Sequence, residues 1–497
     1  MRADKFYRSS NNINPTIHKL IHNGTYFSNT FSSSDYTITG YGSIFTSRYP
    51  INAGLTGMNY HKIFSTNQNY ISLLQDAGYH TYTTMDNSFQ NLGFSSFFEN
   101  EDQGYDRTTT SLFEGLDQKI IDKITSGNLK EPWFYFIHLD DLHIPVRVPA
   151  EYKMKKYDER YDLVISKIDS WLNDILEKID LEKTIVIITS DHGDYIPQNE
   201  TIKKSNFSTK LKSKLKTNIS KKSYDTLSTI KKDVKKQVSD TLLVSNIKKT
   251  IDSRTSRKRY LYDDVIHVPL LFFGKTIPKN DVLEHLVRSI DIFPTIWEII
   301  DLPKVNFRVD GRSLLPLFHG ESIEKVPAYL ENTVFATGQE VVSSCIGLRT
   351  EKYKFFRFLQ QNSPSESVKE WWKNLPISGF KSIKTNKKFS NISKKSLWSE
   401  MTSEQQESIR AYYNSNITSN FPENSSKIKH DEVFLYDIKS DPNELINISE
   451  SKPDITQDFE NNLERIRKEL LMNFDSPELD DDETKKIEDE LRKLGYV

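Results

Sequence analysis

An aspartate and a histidine stand side by side at the end of an apolar, β-branched run in the first half of the chain. The run Thr184–Thr189 is followed at once by Ser190-Asp191-His192-Gly193. A carboxylate next to an imidazole is a donor pair that suits a divalent metal ion, and the glycine lets the backbone turn close to that ion. The same residues would also make an ordinary structural loop, so the motif alone leaves both interpretations open.

Other polar side chains stand at the end of a second apolar run. Trp133–Leu139 is short and aromatic, and His138, Asp141 and His143 lie at its end or just after it. A third run, Val268–Gly274, ends in a glycine. Uninterrupted apolar runs of this length are typical of strands that are buried on both faces.

Helical patterns accompany these predicted strands. In Tyr157–Leu181 the apolar residues recur at spacings of three and four, and Leu286–Ile300 predicts a second helix. Apolar strands that alternate with amphipathic helices are typical of an α/β fold with a parallel sheet covered on both faces. Such folds place their sites beyond the carboxyl ends of strands, so we expect the polar side chains above to lie close together.

Length and composition exclude several classes of protein. The 497 residues, with 36% hydrophobic residues and a net charge of -2, exclude a disulfide mini-protein and give no global charge for nucleic-acid binding. The single cysteine, Cys345, cannot form an intrachain disulfide. No apolar run approaches the ~18 residues of a membrane-spanning helix, and the N-terminus shows no apolar signal segment, so a cytoplasmic protein is expected.

Polar segments interrupt the α/β pattern. Residues 201–260 are strongly basic with apolar residues at helical spacing, which predicts a basic amphipathic helix for peripheral membrane or polyanion contact, or else a solvated lid. Residues 359–430 are rich in serine, asparagine and lysine, which is typical of an insertion between strands. From about residue 451 the pattern predicts a pair of charged helices.

Seven stretches, in this order and at these distances, resemble the sulfatase family of the alkaline-phosphatase superfamily. They are Asp35–Leu55, Phe134–Pro145, Ser190–Gly193, Leu261–Gly274, Ser289–Ile300 followed by Asp310–Leu314, Ile346–Phe358 and Leu435–Asn447. The resemblance runs from about residue 1 to 450. It implies an alkaline-phosphatase-like, mostly parallel sheet flanked by helices, with a smaller C-terminal α+β subdomain. On this basis we expect a catalytic domain over 1–325, a C-terminal subdomain over 326–450 and a helical tail over 451–497.

The resemblance implies a threonine nucleophile. Family members carry the nucleophile ahead of a stretch similar to Ser43–Gly54, and counting back from that stretch gives Thr37. Sulfatases proper use a cysteine or serine that is oxidised to formylglycine, and the methyl group of a threonine prevents that oxidation. The chain is therefore more similar to the threonine-nucleophile branch, which includes phosphodiesterases and phospho-group transferases. An ordinary loop residue is the alternative for Thr37.

Two histidines after the second apolar run are further candidates. His143 stands in an element that resembles Asp-x-His-x-Pro of the family, with Leu142 in place of the usual proline. The resemblance implies that His143 contacts the substrate or a metal. His138 is either a ligand for substrate or metal, or a histidine of the core.

A basic pair precedes Tyr262 in the fourth stretch. Arg259, with Lys258 beside it, occupies a position where family members often have a histidine or lysine. A guanidinium binds the oxygen pair of a sulfate or phosphate but does not ligate a metal, so the resemblance gives Arg259 a catalytic role and puts a second metal ion in doubt. Lys258 and His267 are expected to bind substrate.

The resemblance also implies one divalent metal ion, with Asp191, His192 and Thr37 as its ligands. Carboxylate ligands favour Ca²⁺ or Mg²⁺, and added histidines favour Mn²⁺ or Zn²⁺. Met1-Arg2-Ala3-Asp4 matches the end of a family element that follows a central strand and a ligand aspartate. Either Met1 is internal to a longer chain or the sheet has a gap, and in both cases we expect little activity from residues 1–497 alone.

The function expected from these residues is a metal-dependent hydrolase of sulfate or phosphate esters. Its substrate would be a small-molecule, glycan or lipid ester, and no nucleic-acid partner is expected. Two alternatives stay open: a transferase that moves a phospho-alcohol group onto a glycan or lipid, and a non-catalytic binding protein on a sulfatase-like scaffold.

Overall fold

The computed structural model describes most of the predicted catalytic core. The described residues are 1–7, 13–53, 69–87, 89, 94–106, 109–143, 146–194, 261–279, 281–303, 308–332, 336–337, 340–341, 345–358 and 433–471. The predicted basic helix within 201–260, the insertion 359–430, and the candidates Lys258 and Arg259 lie outside these ranges. The second helix predicted for the tail also lies outside these ranges.

The strands of the described residues, in chain order, are β1 (Thr25–Phe31), β2 (His80–Asp86), β3 (Gly104–Tyr105), β4 (Trp133–Ile137), β5 (Val186–Thr189), β6 (His267–Phe273), β7 (Asp281–Arg288), β8 (Ala328–Glu331), β9 (Ala336–Thr337), β10 (Glu340–Val341), β11 (Cys345–Arg349), β12 (Tyr353–Phe358) and β13 (Val433–Asp437). The α-helices are α1 (Ala3–Phe6), α2 (Pro15–Asn23), α3 (Thr37–Thr46), α4 (Tyr70–Asp76), α5 (Leu116–Thr125), α6 (Tyr157–Leu176), α7 (Asp263–Ile266), α8 (Ile292–Ile299), α9 (Leu315–Phe318) and α10 (Pro453–Leu471). Short 3₁₀ turns cover Phe94–Phe97, Ala150–Tyr152 and Ser289–Asp291.

Two sheets position the candidate residues. In the first, β2 pairs in parallel with β3 and with β4. In the second the order is β5-β6-β1-β7, where β1 and β7 are parallel and β6 is antiparallel to both of its neighbours. The expected α/β fold is confirmed, with an antiparallel strand inside it. The apolar run of β6 does not reveal this direction, because a strand buried on both faces has the same composition either way.

Helices cover both faces of the second sheet. Along β1, Tyr26 packs into a core cluster with residues of α2 and α6, whereas its neighbour Phe27 packs into the opposite cluster with residues of α3, α4 and α8. In β6, Leu271 packs into the same cluster as Tyr26, and Leu270 packs into the same cluster as Phe27. Successive side chains of a strand point to opposite faces, so these two pairs place a hydrophobic core on each side of the sheet.

The predicted helix over Tyr157–Leu181 is confirmed as α6 but ends earlier, at Leu176, and the helix predicted over Leu286–Ile300 is wrong at its start. Leu286 belongs to the end of β7, and a 3₁₀ turn at Ser289–Asp291 leads into α8. Arg288 holds this corner through an ion pair with Asp291 at 2.6 Å. The apolar residues at the end of β7 continue the spacing of those in α8, so the sequence pattern alone hides the boundary.

A third sheet, which is entirely antiparallel, follows in the C-terminal part. Its order is β13-β12-β11-β8, and α10 packs against it through Leu463 and Leu470. Buried Lys354 of β12 pairs with Asp263 of α7 at 2.8 Å and with Glu444 at 2.7 Å, which ties this sheet to the first part of the chain. The predicted domain boundaries remain predictions. Among the described helices, none is long and apolar enough to cross a membrane.

Candidate active site

Thr37 and His192 meet at the junction of two elements. Thr37 is the first residue of α3, which begins shortly after β1, and His192 follows the end of β5. The Oγ1 atom of Thr37 lies 3.0 Å from Nε2 of His192. The expected proximity of these two candidates is therefore observed, at hydrogen-bonding distance.

The contact made by the second ring nitrogen of His192, Nδ1, determines which of the two nitrogens carries the hydrogen in the neutral ring. Nδ1 lies 2.5 Å from the carbonyl oxygen of Gly193. A carbonyl oxygen only accepts, so Nδ1 carries the hydrogen, and in the neutral ring Nε2 presents its lone pair to the hydroxyl of Thr37. His192 is thus oriented to accept a proton from Thr37.

Asp191 lies beside the contact between Thr37 and His192. Its Oδ2 atom lies 3.4 Å from Nε2 of His192, and its backbone oxygen accepts a short hydrogen bond from Ser32 Oγ. Burial raises the pKa of Asp191, but the charges of His192, the Met1 ammonium group and His138 outweigh it and bring the pKa to about 2. A carboxylate that stays ionised beside His192 stabilises a positive charge on that ring.

Two close approaches fix the loop that carries Asp191 and His192. A β-carbon on Gly40 of α3 would lie 2.9 Å from the backbone oxygen of Asp191. A β-carbon on Gly193 would lie 2.3 Å from the backbone oxygen of Asp264 in α7. The amide of Gly193 also donates to the oxygen of Val265 at 2.6 Å. The glycine of the motif therefore serves close packing of backbone on backbone.

The two histidines after β4 lie beside the same cavity as Thr37. His138 is buried between the rings of Tyr41 and Phe89, at centroid distances of 5.3 and 4.8 Å. Burial lowers the pKa of His138, and its Nδ1 has no hydrogen-bond partner among the described residues. His143 is exposed, and its amide donates to the oxygen of Asp140 at 3.0 Å.

The structure does not bring His267 to this cavity. His267 is the first residue of β6, where its ring stacks on Phe31 and its Nε2 lies 2.7 Å from the backbone oxygen of Ser28. Burial lowers its pKa, with nearby Asp263 acting in the opposite direction. The backbone of β1 thus occupies the nitrogen that was expected to face substrate.

Asp194 is a site residue that the sequence analysis missed. It lines the cavity, and the hydroxyl of Tyr157 donates to its Oδ2 at 2.9 Å. Burial raises the pKa of Asp194, although the charge of His143 lowers it in part. The available signal was its place two residues after His192, at the end of the same strand.

The candidate metal ligands form an incomplete set within the described residues. Asp191 and His192 are two strong donors, and Thr37 adds a hydroxyl. No cluster of three or more histidine, cysteine, aspartate or glutamate side chains able to hold a metal occurs in the described part of the chain. The described side chains therefore do not by themselves fit a closed divalent-metal site.

The cavity extends well beyond these polar residues. It encloses about 910 Å³ and runs from Thr37, His143 and Asp191 along the whole of β4 and β5. Its polar end also holds Asp140 and Asp264. The remainder is apolar, so the cavity combines a charged end with a long apolar slot.

Comparison with known families gives two matches. The sulfatase family model matches residues 3–302. The model of the C-terminal region of N-sulphoglucosamine sulphohydrolase matches residues 253–407.

Curated relatives match over short segments. Arylsulfatase K of Gallus gallus is 29% identical over 112 residues, which are 22% of this chain and 21% of the relative. N-acetylglucosamine-6-sulfatase of Homo sapiens is 43% identical over 65 residues, 13% of this chain and 12% of the relative. The matched segments thus span about one fifth or less of these relatives.

Solved structures match over nearly the whole chain. A 2-O GAG sulfatase superposes with a TM-score of 0.55 at 12% identity, covering 94% of this chain and 89% of the other. A phosphonate monoester hydrolase of Agrobacterium radiobacter gives 0.55 at 13% identity, covering 95% and 94%. At these identities the likeness shows the fold alone.

Proposed function

Because the chain belongs to the sulfatase family, we propose that it hydrolyses sulfate or phosphate esters with Thr37 as the nucleophile. The observation that carries this proposal is the 3.0 Å contact between Thr37 Oγ1 and His192 Nε2. A threonine hydroxyl is a weak nucleophile until a base removes its proton, and a base at this distance, with its other nitrogen held by Gly193, meets that requirement.

The reaction has two steps. Oγ1 of Thr37 attacks the sulfur or phosphorus atom while its proton moves to Nε2 of His192. The bond from sulfur or phosphorus to the ester oxygen breaks, and the alcohol leaves with the proton that His192 received. Water then attacks the Thr37 ester and gives one proton to His192, the bond to Oγ1 breaks, and that proton passes to Oγ1 and restores the hydroxyl of Thr37.

Two features of the site support an anionic substrate. The first backbone amides of α3 have no acceptor within the helix, and the helix dipole favours negative charge at that end. Thr37 is the first residue of α3, so the transferred group would meet these amides. His143 is exposed and lines the same cavity, which supports a catalytic role for it at the leaving group or the substrate oxygens.

The sulfatase family generally uses a divalent metal. One divalent cation with Asp191, His192 and Thr37 as ligands stays a prediction, and no step above depends on it. Metal content of the purified protein, measured by mass spectrometry with Asp191→Asn for comparison, tests it. A stoichiometric metal lost in that variant supports the ligand role, and its absence from both proteins contradicts it.

The substrate class follows from the family and from the nucleophile. Structural neighbours include a GAG sulfatase and phosphonate monoester hydrolases, which supports an ester of sulfur or phosphorus. Threonine favours phosphoryl transfer, because formylglycine cannot form from it. A small-molecule or glycan ester is the proposed substrate.

Competing chromogenic esters test this function. The full chain is assayed with aryl sulfate, aryl phosphate, bis-aryl phosphate and aryl phosphonate, with Thr37→Ala and Thr37→Ser as variants. We expect slow phosphoester turnover by this chain, which Thr37→Ala abolishes and Thr37→Ser retains in part. Full turnover by Thr37→Ala excludes Thr37 as the nucleophile, and no turnover of any ester by the folded protein supports the non-catalytic alternative.

A further inference from the structure

Helix α7 lies between the loop of the proposed base and the C-terminal sheet, β13-β12-β11-β8. The amide of Gly193 donates to the oxygen of Val265 at 2.6 Å, and the amide of Ser32 donates to the oxygen of Ile266 at 2.8 Å. The oxygen of Gly193 in turn lies 2.5 Å from Nδ1 of His192. The backbone of α7 therefore holds both the loop after β5 and the residue that follows β1.

The position of α7 depends on tertiary contacts, because a helix of four residues is not stable on its own. Nη2 of Arg349, the last residue of β11, lies 3.1 Å from Oδ2 of Asp263, the first residue of α7. Nζ of Lys354 lies 2.8 Å from Oδ1 of Asp263. The amide of Asp263 donates to Oε2 of Glu444 at 2.8 Å. The carboxylate and the amide of Asp263 thus both meet partners from the C-terminal part of the chain.

The ion pair of Arg349 and Asp263 is largely withdrawn from water. The side chain of Arg349 is 5% exposed and that of Asp263 is 14% exposed. Burial raises the pKa of Asp263, but the charges of Arg349 and Lys354 outweigh it and hold that pKa well below its usual range. Opposite charges in surroundings of low dielectric constant attract each other more strongly than they do at the surface. The pair therefore fixes the distance between β11 and α7.

Arg349 also contacts the end of β1. Its guanidinium group lies over the ring of Phe31, 4.6 Å from the centroid, which is a cation–π contact. Phe31 precedes Ser32, whose Oγ donates to the backbone oxygen of Asp191 in a short hydrogen bond. Arg349 is thus in contact with both structures that hold the loop of Asp191 and His192.

We propose that Arg349 is a positioning residue for His192 and acts through helix α7. The proposal rests on the function proposed above, in which His192 is the base for Thr37. Arg349 is not among the described residues that line the cavity, so it affects the reaction through its neighbours. The C-terminal sheet thereby contributes to turnover by holding the loop of the base.

Three variants of the full chain test this proposal: Arg349→Gln, Arg349→Lys and Arg357→Gln. Arg349→Gln removes the charge and leaves Asp263 its ion pair with Lys354, so this variant should fold. Arg349→Lys keeps the charge. Arg357→Gln is the matched control, because Arg357 lies in neighbouring β12 and its ion pairs, such as that with Glu460 at 2.7 Å, lead to α10.

Amide hydrogen exchange of Ser190–Asp194, followed by mass spectrometry, tests the coupling without substrate. We expect Arg349→Gln to speed exchange in this segment by ~10-fold and Arg349→Lys to speed it less, because the hydrogen bond from Gly193 to α7 opens more often. Arg357→Gln should leave the segment unchanged. Unchanged exchange in Arg349→Gln, or equal acceleration in Arg357→Gln, overturns the proposal.

Kinetics with an aryl phosphate ester, at a temperature where each variant is folded, test the effect on the reaction. We expect Arg349→Gln to lower kcat by ~10-fold or more and to leave KM within about 2-fold, because the base moves while the cavity lining stays. Arg349→Lys should recover part of kcat, and Arg357→Gln should change neither constant.

An unchanged kcat in Arg349→Gln, or a change confined to KM, overturns the positioning role. A wild-type chain that turns over no ester contradicts the proposed function instead. Hydrogen exchange then decides by itself whether Arg349 holds the loop, so the two failures are distinguishable.

Discussion

Gly193 and Asp264 approach so closely that a β-carbon on the glycine would lie 2.3 Å from the aspartate's backbone oxygen. The contact joins the loop after β5 to helix α7, and it sets the position of the neighbouring His192. The orientation of the proposed base therefore depends on a helix more than 70 residues away along the chain.

Gly193→Ala should displace this loop. We expect a loss of ~1–3 kcal/mol in the free energy of unfolding from the steric overlap, and a fall in ester turnover because His192 moves from Thr37. Thermal unfolding and kinetics measure both effects. The control is Gly127→Ala, where φ is +73° but no atom lies within 4 Å. That variant should lose stability without losing turnover, and the same turnover in both variants would contradict the role of Gly193.

Lys354→Met should destabilise the protein by ~3–5 kcal/mol, because Lys354 is buried between the carboxylates of Asp263 and Glu444 and its loss removes the positive charge that both share. Asp263 keeps its ion pair with Arg349 at 3.1 Å. Denaturant unfolding measures the change. The surface pair of Lys325 and Glu351, at 2.8 Å, gives the matched control Lys325→Met, for which we expect ~0–1 kcal/mol. Equal losses in the two variants would show that burial of the pair is unimportant.

Glu331 should make stability depend on pH. Burial raises its pKa to about 7, while the charge of Arg467 lowers it in part. The folded pKa lies above the unfolded value, so the stability present below the unfolded pKa is lost as pH rises through about 7, by up to ~3 kcal/mol. Glu331→Gln should flatten the curve between pH 4 and pH 8, whereas exposed Glu182→Gln should not. A curve unchanged by Glu331→Gln would refute this assignment.

His143 and His267 should separate in a kinetic comparison. His143 is exposed beside the cavity, so His143→Asn should lower kcat/KM by ~10-fold or more without changing the melting temperature. His267 bonds to the backbone of Ser28, so His267→Asn should lower stability and leave kcat/KM unchanged in the folded protein. A fall in kcat/KM for His267→Asn, with no change for His143→Asn, would contradict this account and indicate that His267 acts in the site.

Periodicity and residue order predicted the elements that carry the site. The apolar runs identify β4, β5 and β6 as strands, and the helical spacing identifies α6. Burial follows composition at β6 and α6, whereas every residue of β4 and β5 is only half-buried. The order of the motifs placed Thr37 near Asp191 and His192, and the structure gives the distance. Local sequence carried this information because each candidate stands at the end of its own element.

Other features depend on tertiary pairing and have no local signal. Strand β1 contains the polar residues Ser28 and Asn29, so no apolar run marks it. The side-chain amide of Asn29 donates to the backbone oxygen of Glu284 in neighbouring β7 at 2.8 Å. This contact forms only once β1 and β7 have paired. The same holds for His267, whose ring nitrogen contacts the backbone of β1 rather than the cavity.

The most direct test of the central claim is to trap the ester on Thr37. The protein is mixed with an excess of aryl phosphate ester, quenched in acid within milliseconds, digested and analysed by mass spectrometry. We predict a phosphoryl adduct on the peptide that contains Thr37 and no adduct in Thr37→Ala. Turnover by the wild-type protein with the adduct on another residue, or with Thr37→Ala equally active, would contradict the account.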